Sequence, residues 1–167
     1  MSSRLFTVVI AGVIALLSPT GAKAQEAGIK LGAAAPHAAV ERLDGSKIDL
    51  GSYYGEKPVV VEFWATWCPL CKKLEPQLQA ARAKYAGQVA FVGIGVSSNQ
   101  SPERQREYVA KQKLSGEYVF DRDDAAQKAF AAPHTSYVVV IDKAGKVVYT
   151  GVGPEQDIDA AVRKAVP

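Results

Sequence analysis

Apolar residues recur along the chain at two different spacings, and together these predict alternating strands and helices. The run Val59–Trp64 is apolar at every position except Glu62, which is typical of a central strand covered on both faces. Over Pro69–Tyr85, apolar residues recur instead at three- and four-residue steps, with polar residues such as Glu75 and Arg82 falling off that stripe. This second spacing predicts a long amphipathic helix directly after the strand.

The same patterns predict the other elements. Strands are expected over 38–43, 47–50, 89–96, 118–120, 137–141 and 146–150, and helices over 101–114, 123–130 and 157–166. Asp44-Gly45 is a strong turn signal, so the first two strands should form a hairpin. The order of elements predicts an α/β fold: a three-layer sandwich with a central mixed sheet and an N-terminal β-hairpin.

Composition narrows the class of protein. The chain has 167 residues, of which 48% are hydrophobic and 22% charged, so it supports one folded domain and excludes wholesale disorder. A net charge of +3 leaves no basic surface for nucleic acid. Two cysteines and two histidines exclude a disulfide-dense scaffold and a four-thiolate zinc site. We expect a monomer with no nucleic-acid partner, no bound metal and no resident cofactor.

The first 24 residues have the pattern of a secretory signal peptide. Arg4 precedes an almost unbroken apolar run over 5–17, and Ala22-Lys23-Ala24 ends the segment with small residues, so we predict cleavage after Ala24 and a periplasmic location. The alternative is an uncleaved anchor, but this run is shorter than the roughly 20 residues of a membrane-spanning helix. Residues 25–36 are predicted to be a flexible lead-in, and residues 37–167 the folded domain.

The candidate chemistry lies at Cys68 and Cys71, where the central strand passes into the long helix. A sulfur at a helix N-terminus is near free N–H groups and the positive end of the helix dipole, which favour its thiolate. Cys71 follows after about one turn and can attack a mixed disulfide formed at Cys68. Pro69 suits the first helical position. We therefore expect Cys68 to be an exposed nucleophile and Cys71 a more buried resolving thiol.

Two other interpretations of the cysteine pair remain. A purely structural disulfide would close a very short loop and stabilise the fold by only about 2 kcal/mol. A metal site would need further ligands, for which only His37 and His134 offer imidazole nitrogen. Redox chemistry is the interpretation that the spacing favours, and in an exported protein the pair should be disulfide-bonded unless something reduces it.

Glu62 is the second candidate residue. A carboxyl group in a strand that is apolar on both faces should be buried, and burial raises its pKa toward neutrality. Thiol–disulfide exchange needs a group that takes the proton from the second thiol, and Glu62 is the predicted proton shuttle.

The segment Val59–Lys73 resembles the active-site segment of the thioredoxin superfamily, with Phe-Trp-Ala-x-Trp-Cys-x-x-Cys-Lys in register, an acid six residues before Cys68, and Pro76 in the following helix. The predicted hairpin resembles that of the exported TlpA-like and AhpC/TSA-like branch. The resemblance implies a thioredoxin fold and thiol–disulfide oxidoreductase activity on protein thiols, as a reductase. Trp67, Pro69 and Leu70 would then surround the redox centre, and a reductase in an oxidising compartment would need a membrane electron donor.

One position departs from the family pattern. Members of the superfamily usually carry a cis-proline opposite the cysteine pair, and counting back from Asp142 and Gly145 places it at Ser136. Pro133 lies three residues too early, so either a small insertion shifts this loop or Thr135–Ser136 replaces the usual Thr-Pro. We interpret the sequence in the second way, with a trans peptide bond as the default. As the resemblance implies, loss of this proline alters the substrate groove and brings His134 into consideration as a metal ligand.

Two competing functions follow from the same resemblance. The first is a copper-handling module in which Cys68, Cys71 and His134 hold Cu(I), although copper chaperones of this fold usually have three residues between the cysteines. The second is a peroxiredoxin, which shares the hairpin but lacks a resolving cysteine at this spacing.

Overall fold

A seven-stranded sheet forms the centre of the protein, whose computed structural model describes residues 28–166. The strands are β1 Ala39–Arg42, β2 Lys47–Asp49, β3 Val59–Trp64, β4 Ala90–Val96, β5 Glu117–Asp121, β6 Tyr137–Ile141 and β7 Val147–Val152. The helices are α1 Pro69–Lys84, α2 Pro102–Gln112, α3 Ala125–Ala129 and α4 Ile158–Arg163. The predicted signal peptide lies outside the described residues.

The strand order is β2-β1-β5-β4-β3-β6-β7. Strands β3, β4 and β5 are parallel, whereas β6 runs antiparallel to β3 and β7 antiparallel to β6. Helices α1 and α2 make the two crossovers between the parallel strands, which is the connection that parallel neighbours require. The predicted mixed sheet is therefore confirmed, with β3 near its centre and buried at all six positions.

Helices cover both faces of the sheet, as predicted. Leu74 and Leu78 of α1 pack with Val162 of α4 in one apolar cluster. Gln105 of α2 lies over Gly95 on the same face. On the opposite face, Phe130 at the end of α3 packs edge-on against Phe63. The architecture is the three-layer sandwich that the alternation of elements predicts.

The N-terminal hairpin is also confirmed. Strands β1 and β2 pair antiparallel, and β1 pairs in turn with β5. The turn between them uses Gly45 at a φ of +91°, a conformation that glycine adopts without strain. The Asp44 side chain accepts a hydrogen bond from the Ser46 N–H at 2.8 Å, which holds the turn closed.

The segment expected to be a flexible lead-in is attached to the sheet in its described part, residues 28–36. Ala34 forms a β-bridge with Lys146, and the Gly32 N–H donates to the carbonyl of Val147 at 2.8 Å. The Ile29 N–H donates to the hydroxyl of Tyr137 at 3.0 Å. This portion of the lead-in thus belongs to the fold, because its backbone groups pair with β6 and β7 rather than with water. Within residues 28–166, no helix combines the length and apolar character needed to cross a membrane.

Candidate active site

The cysteine pair lies where the sequence predicts it, at the start of α1. Cys68 is the N-cap residue of the helix, Pro69 occupies its first turn, and Cys68 and Cys71 are joined by a disulfide. The Sγ atom of Cys68 accepts a hydrogen bond from the Cys71 N–H at 3.0 Å. A sulfur in this position is close to the free N–H groups of the first helical turn, which stabilise negative charge.

Both cysteines are buried, so the expectation of an exposed Cys68 was wrong for this disulfide-bonded form. Cys68 is 1% exposed and Cys71 is 4% exposed. The two side chains belong to the apolar cluster that also contains Trp64 and Ala65, and this packing covers Cys68 as fully as its partner. The two sulfurs differ in position along the helix rather than in exposure.

The loop that carries Cys68 is held by the loop after β4. The Gln100 side chain accepts a hydrogen bond from the Thr66 N–H at 2.9 Å and donates to the carbonyl of Val96 at 2.6 Å. The Trp67 indole N–H donates to the carbonyl of Ser98 at 2.8 Å. Gln100 was not among the predicted site residues, because it lies in a loop far from the cysteines in sequence and no local pattern marks it.

Exposed apolar side chains lie at the same end of the sheet as the disulfide. Trp67 and Leu70 flank Cys68 in sequence and are exposed, and so is Val152 at the end of β7. Val152 pairs with Tyr137, the residue after Ser136. Single exposed apolar side chains are common, but several at one end of the sheet beside a disulfide are typical of a surface that contacts another molecule.

Glu62 is buried, as expected from its place in β3, with 2% of its surface exposed. Its neighbours on the adjacent strands are Gly93 and Val138, and its Oε1 atom has no hydrogen-bond partner. The pKa of Glu62 is raised to about 8, mainly because the group is buried; the negative charge of Glu75 contributes to this rise, and the positive charge of Arg82 opposes it. The role of Glu62 as a proton shuttle stays a prediction.

Arg82 departs from the helical pattern, which placed it off the apolar stripe. It is 8% exposed, and its guanidinium lies 5.4 Å from the Tyr118 ring centre and 2.7 Å from the Glu75 carboxylate. The long apolar stem and the flat cation allow an arginine to be buried when a carboxylate and an aromatic ring receive it. Neither Arg82 nor Tyr118 was predicted as part of the site. Their contact joins α1 to β5, two elements far apart in the sequence, and such a contact leaves no local pattern.

Ser136 takes a conformation that proline cannot adopt. Its φ is +61° and the Thr135–Ser136 peptide bond is trans, whereas a proline ring fixes φ near −65°. The Ser136 N–H donates to the carbonyl of Phe63 at 2.7 Å, so the chain is already bonded to β3 one residue before β6 begins. The Ser136 hydroxyl accepts from Gly153 N–H at 3.2 Å, and its carbonyl accepts from the Gln156 amide at 3.1 Å.

Neither histidine forms a metal-ligand set with the cysteine pair in the part of the chain that the structure describes. His134 is exposed, and the described residues contain no group of three His, Cys, Asp or Glu side chains arranged to hold a metal ion. His37 is hydrogen-bonded to Asp49 at 2.7 Å. The structure thus does not bring His134 together with Cys68 and Cys71 as a ligand set.

Comparison with known proteins places this arrangement among thiol–disulfide exchange proteins. A family model described as Redoxin matches residues 30–166. The thiol-disulfide oxidoreductase ResA of Bacillus cereus is 24% identical over 165 residues, covering 98% of this chain and 94% of that protein. The thioredoxin-like protein YneN of Bacillus subtilis is 35% identical over 81 residues, covering 48% of this chain and 47% of that protein.

A solved structure shows the same fold. The thiol:disulfide interchange protein of the thioredoxin family from Chlorobium tepidum TLS superposes with a TM-score of 0.68 at 26% identity. The match covers 83% of this chain and 99% of that one.

Proposed function

The chain belongs to the Redoxin family and is a thiol–disulfide oxidoreductase of the thioredoxin fold, and from this premise we propose that it works as an exported reductase of disulfides in other proteins. The observation that supports this most directly is the disulfide between Cys68 and Cys71 at the N-terminus of α1. A pair one helical turn apart at a helix start can form and break its bond without rearranging the fold.

In the proposed cycle, the two residues have different tasks. The Cys68 thiolate of the reduced protein attacks one sulfur of a substrate disulfide, forming a mixed disulfide and releasing the other substrate sulfur, which takes up a proton. Cys71 loses its proton to the Glu62 carboxylate and attacks the Cys68 sulfur. The Cys68–Cys71 bond forms, and the second substrate sulfur leaves and is protonated. The substrate gains two electrons and two protons, and the protein is oxidised by the same amount.

Glu62 suits the proton-accepting step because of where it lies. A carboxyl group whose pKa is raised to about 8 exchanges protons in the pH range in which thiols ionise. An ordinary exposed glutamate would remain ionised throughout that range. The buried position on β3, beneath α1, is therefore part of the proposed mechanism.

The surface around the disulfide is the proposed docking site for substrate proteins. The exposed Trp67, Pro69 and Leu70 border it, and the half-buried Thr135 is the proposed opposite border. Ser136 is buried and does not contribute to this surface. An apolar surface suits an unfolded or loosely folded protein that displays its own apolar residues beside a disulfide.

Export and regeneration belong to the same proposal. Residues 1–24 would direct the chain to the periplasm, where it acts as a monomer. Because that compartment is oxidising, a reductase there needs a supply of electrons, and a membrane protein with a dithiol is the proposed donor.

The test is reduction of insulin disulfides by the purified protein with dithiothreitol as the electron source. We expect turnover by the wild type, loss of turnover in Cys68→Ser, and no loss in His134→Ala, the control for the metal alternative. The potential of the Cys68–Cys71 pair, measured against glutathione, should lie on the reducing side of the glutathione couple. A value typical of strong oxidants would contradict the reductase role, and an inactive wild type would contradict the function itself.

A further inference from the structure

Several buried polar atoms on the Glu62 face of the sheet have no hydrogen-bond partner. They include Glu62 Oε1 and Trp64 Nε1. Trp64 follows Glu62 by two residues on β3, so both side chains point to the same face. Tyr118 lies in the same row as Glu62, with Gly93 between them on β4. Because buried polar groups normally have partners, two unpaired groups on the same face of one strand need an explanation, and a catalytic role is one.

Gly93 makes room for this cluster. A Cβ atom at Gly93 would lie 2.6 Å from the Tyr118 ring and 3.1 Å from the Trp64 indole nitrogen. The Tyr118 ring therefore lies over Gly93 and extends from β5 toward β3. Its ring centre is 5.4 Å from that of Trp64, so the two rings cover the space beside the Glu62 carboxyl group.

The charged members of the cluster come from α1. Arg82 Nη1 is 2.7 Å from Glu75 Oε1, and the Arg82 side chain is almost fully buried. Glu75 also borders a cavity of about 20 Å³ whose wall includes Cys71 and Trp64, which is room for about one water molecule. Glu75 thus lies beside Cys71, and Arg82 contacts the Tyr118 ring, which lies over Gly93 directly opposite Glu62.

We propose that the Glu75–Arg82 ion pair controls how readily Glu62 accepts the proton of Cys71. Glu75 and Arg82 are then positioning residues of the exchange reaction. This inference rests on the proposed function, because it assumes the proton-accepting role of Glu62. The proton passes from the Cys71 sulfur to a Glu62 oxygen, with no change in electron count, and Glu75 and Arg82 bias that transfer without accepting the proton.

The two residues act in opposite directions. The positive charge of Arg82 stabilises the Glu62 carboxylate, and the negative charge of Glu75 destabilises it. Other groups facing Glu62 are the uncharged Gly93 and Val138 on the neighbouring strands and Tyr118 on β5. On α1, Lys72 also lines the cavity beside Glu75 and Cys71. The charges that act on Glu62 are those of Glu75 and Arg82, so changes to these two residues should have opposite effects.

The experiment titrates Glu62 by infrared spectroscopy in the purified, disulfide-bonded protein. The band of the protonated carboxyl group that disappears in Glu62→Gln reports its midpoint. We expect the midpoint to fall by about one pH unit in Glu75→Gln and to rise by about one unit in Arg82→Gln. Arg82→Lys should stay near the wild-type value, because it keeps the charge. Lys84→Gln on the same helix is the matched control and should not shift it, since Lys84 pairs with Asp159 at the surface.

A second measurement links the midpoint to the reaction. The rate at which Cys71 resolves a mixed disulfide at Cys68 should show the same opposite displacements in its pH profile. Shifts of Glu75→Gln and Arg82→Gln in the same direction, or shifts no larger than that of Lys84→Gln, would overturn the inference. If Arg82→Gln does not fold, Glu75→Gln against Lys84→Gln decides. Failure of the wild type to reduce insulin is a separate result and contradicts the proposed function instead.

Discussion

Glu62 lies directly opposite Gly93 in the pairing of β3 with β4, so the buried carboxyl group faces a strand position that carries no side chain. The Tyr118 ring occupies the space that a larger residue would take. The environment of the carboxyl group therefore depends on Gly93, because a side chain at that position would displace the Tyr118 ring.

Replacing Gly93 with alanine should destabilise the protein. The added methyl group would lie 2.6 Å from the Tyr118 ring, so the ring must move in a packed interior, and we expect a loss of about 1–3 kcal/mol in the free energy of unfolding. Chemical denaturation of Gly93→Ala, Tyr118→Leu and the double variant measures this. In the double variant the cost of the methyl group should be smaller; equal costs in both backgrounds would contradict the contact described.

Stability should fall as pH rises, because of Glu62. Burial raises the pKa of Glu62 from 4.5 to about 8 in the folded protein, so the folded state keeps a proton that the unfolded chain releases. The stabilisation is complete below about pH 4.5 and is lost as pH rises toward 8. Denaturation of the disulfide-bonded protein across this window should show the decline.

The matched variants isolate the contribution of Glu62 to this decline. Glu62→Gln cannot ionise and should show a flatter profile, with its advantage over the wild type growing toward alkaline pH. Glu56→Gln, at an exposed acid, should follow the wild type. Parallel profiles for wild type and Glu62→Gln would show that this carboxyl group ionises alike in both states.

A proline at position 136, where the resemblance to the thioredoxin superfamily places the cis-proline, should destabilise this protein. Ser136→Pro removes the N–H that donates to Phe63 and requires a φ far from the observed +61°, so we expect a loss of about 2 kcal/mol or more. Ser136→Gly keeps the N–H and accommodates the positive φ, and it should remain within about 1 kcal/mol of wild type. Thermal unfolding of both variants is the measurement; a more stable proline variant would mean that the loop can adopt a second arrangement.

Cys71→Ser should trap the reaction midway. With Cys68 alone, attack on a substrate disulfide forms a mixed disulfide that no neighbouring thiol resolves. Mass spectrometry under non-reducing conditions should show an adduct with a model disulfide in Cys71→Ser and none in Cys68→Ser. An adduct in Cys68→Ser and none in Cys71→Ser would show instead that Cys71 is the nucleophile and Cys68 the resolving thiol.

The elements around the redox pair were predictable because their signals are local. The apolar run of β3, the helical spacing of α1 and the Asp44-Gly45 turn each depend on residues close together in the chain. The position of Cys68 at the start of α1 and the burial of Glu62 follow from the same patterns. In each of these cases local propensity and tertiary packing agree.

The parts that sequence reasoning missed depend on contacts between distant segments. Arg82 looks like a surface residue in the helical pattern and is buried only because Glu75 and Tyr118 receive it. The positive φ of Ser136 follows from its bonds to Phe63, Gly153 and Gln156. Burial of Cys68 depends likewise on how its loop packs against the core. None of these contacts leaves a periodic signal.

The hairpin has a consequence for the behaviour of the protein in solution. Without it, β5 would be an edge strand five residues long, with unpaired backbone groups open to strand addition by another chain. Strand β1 covers β5 and leaves the three-residue β2 outermost, where Lys47 and Asp49 are exposed. A short, charged edge is a poor template for intermolecular strand pairing on this side of the sheet.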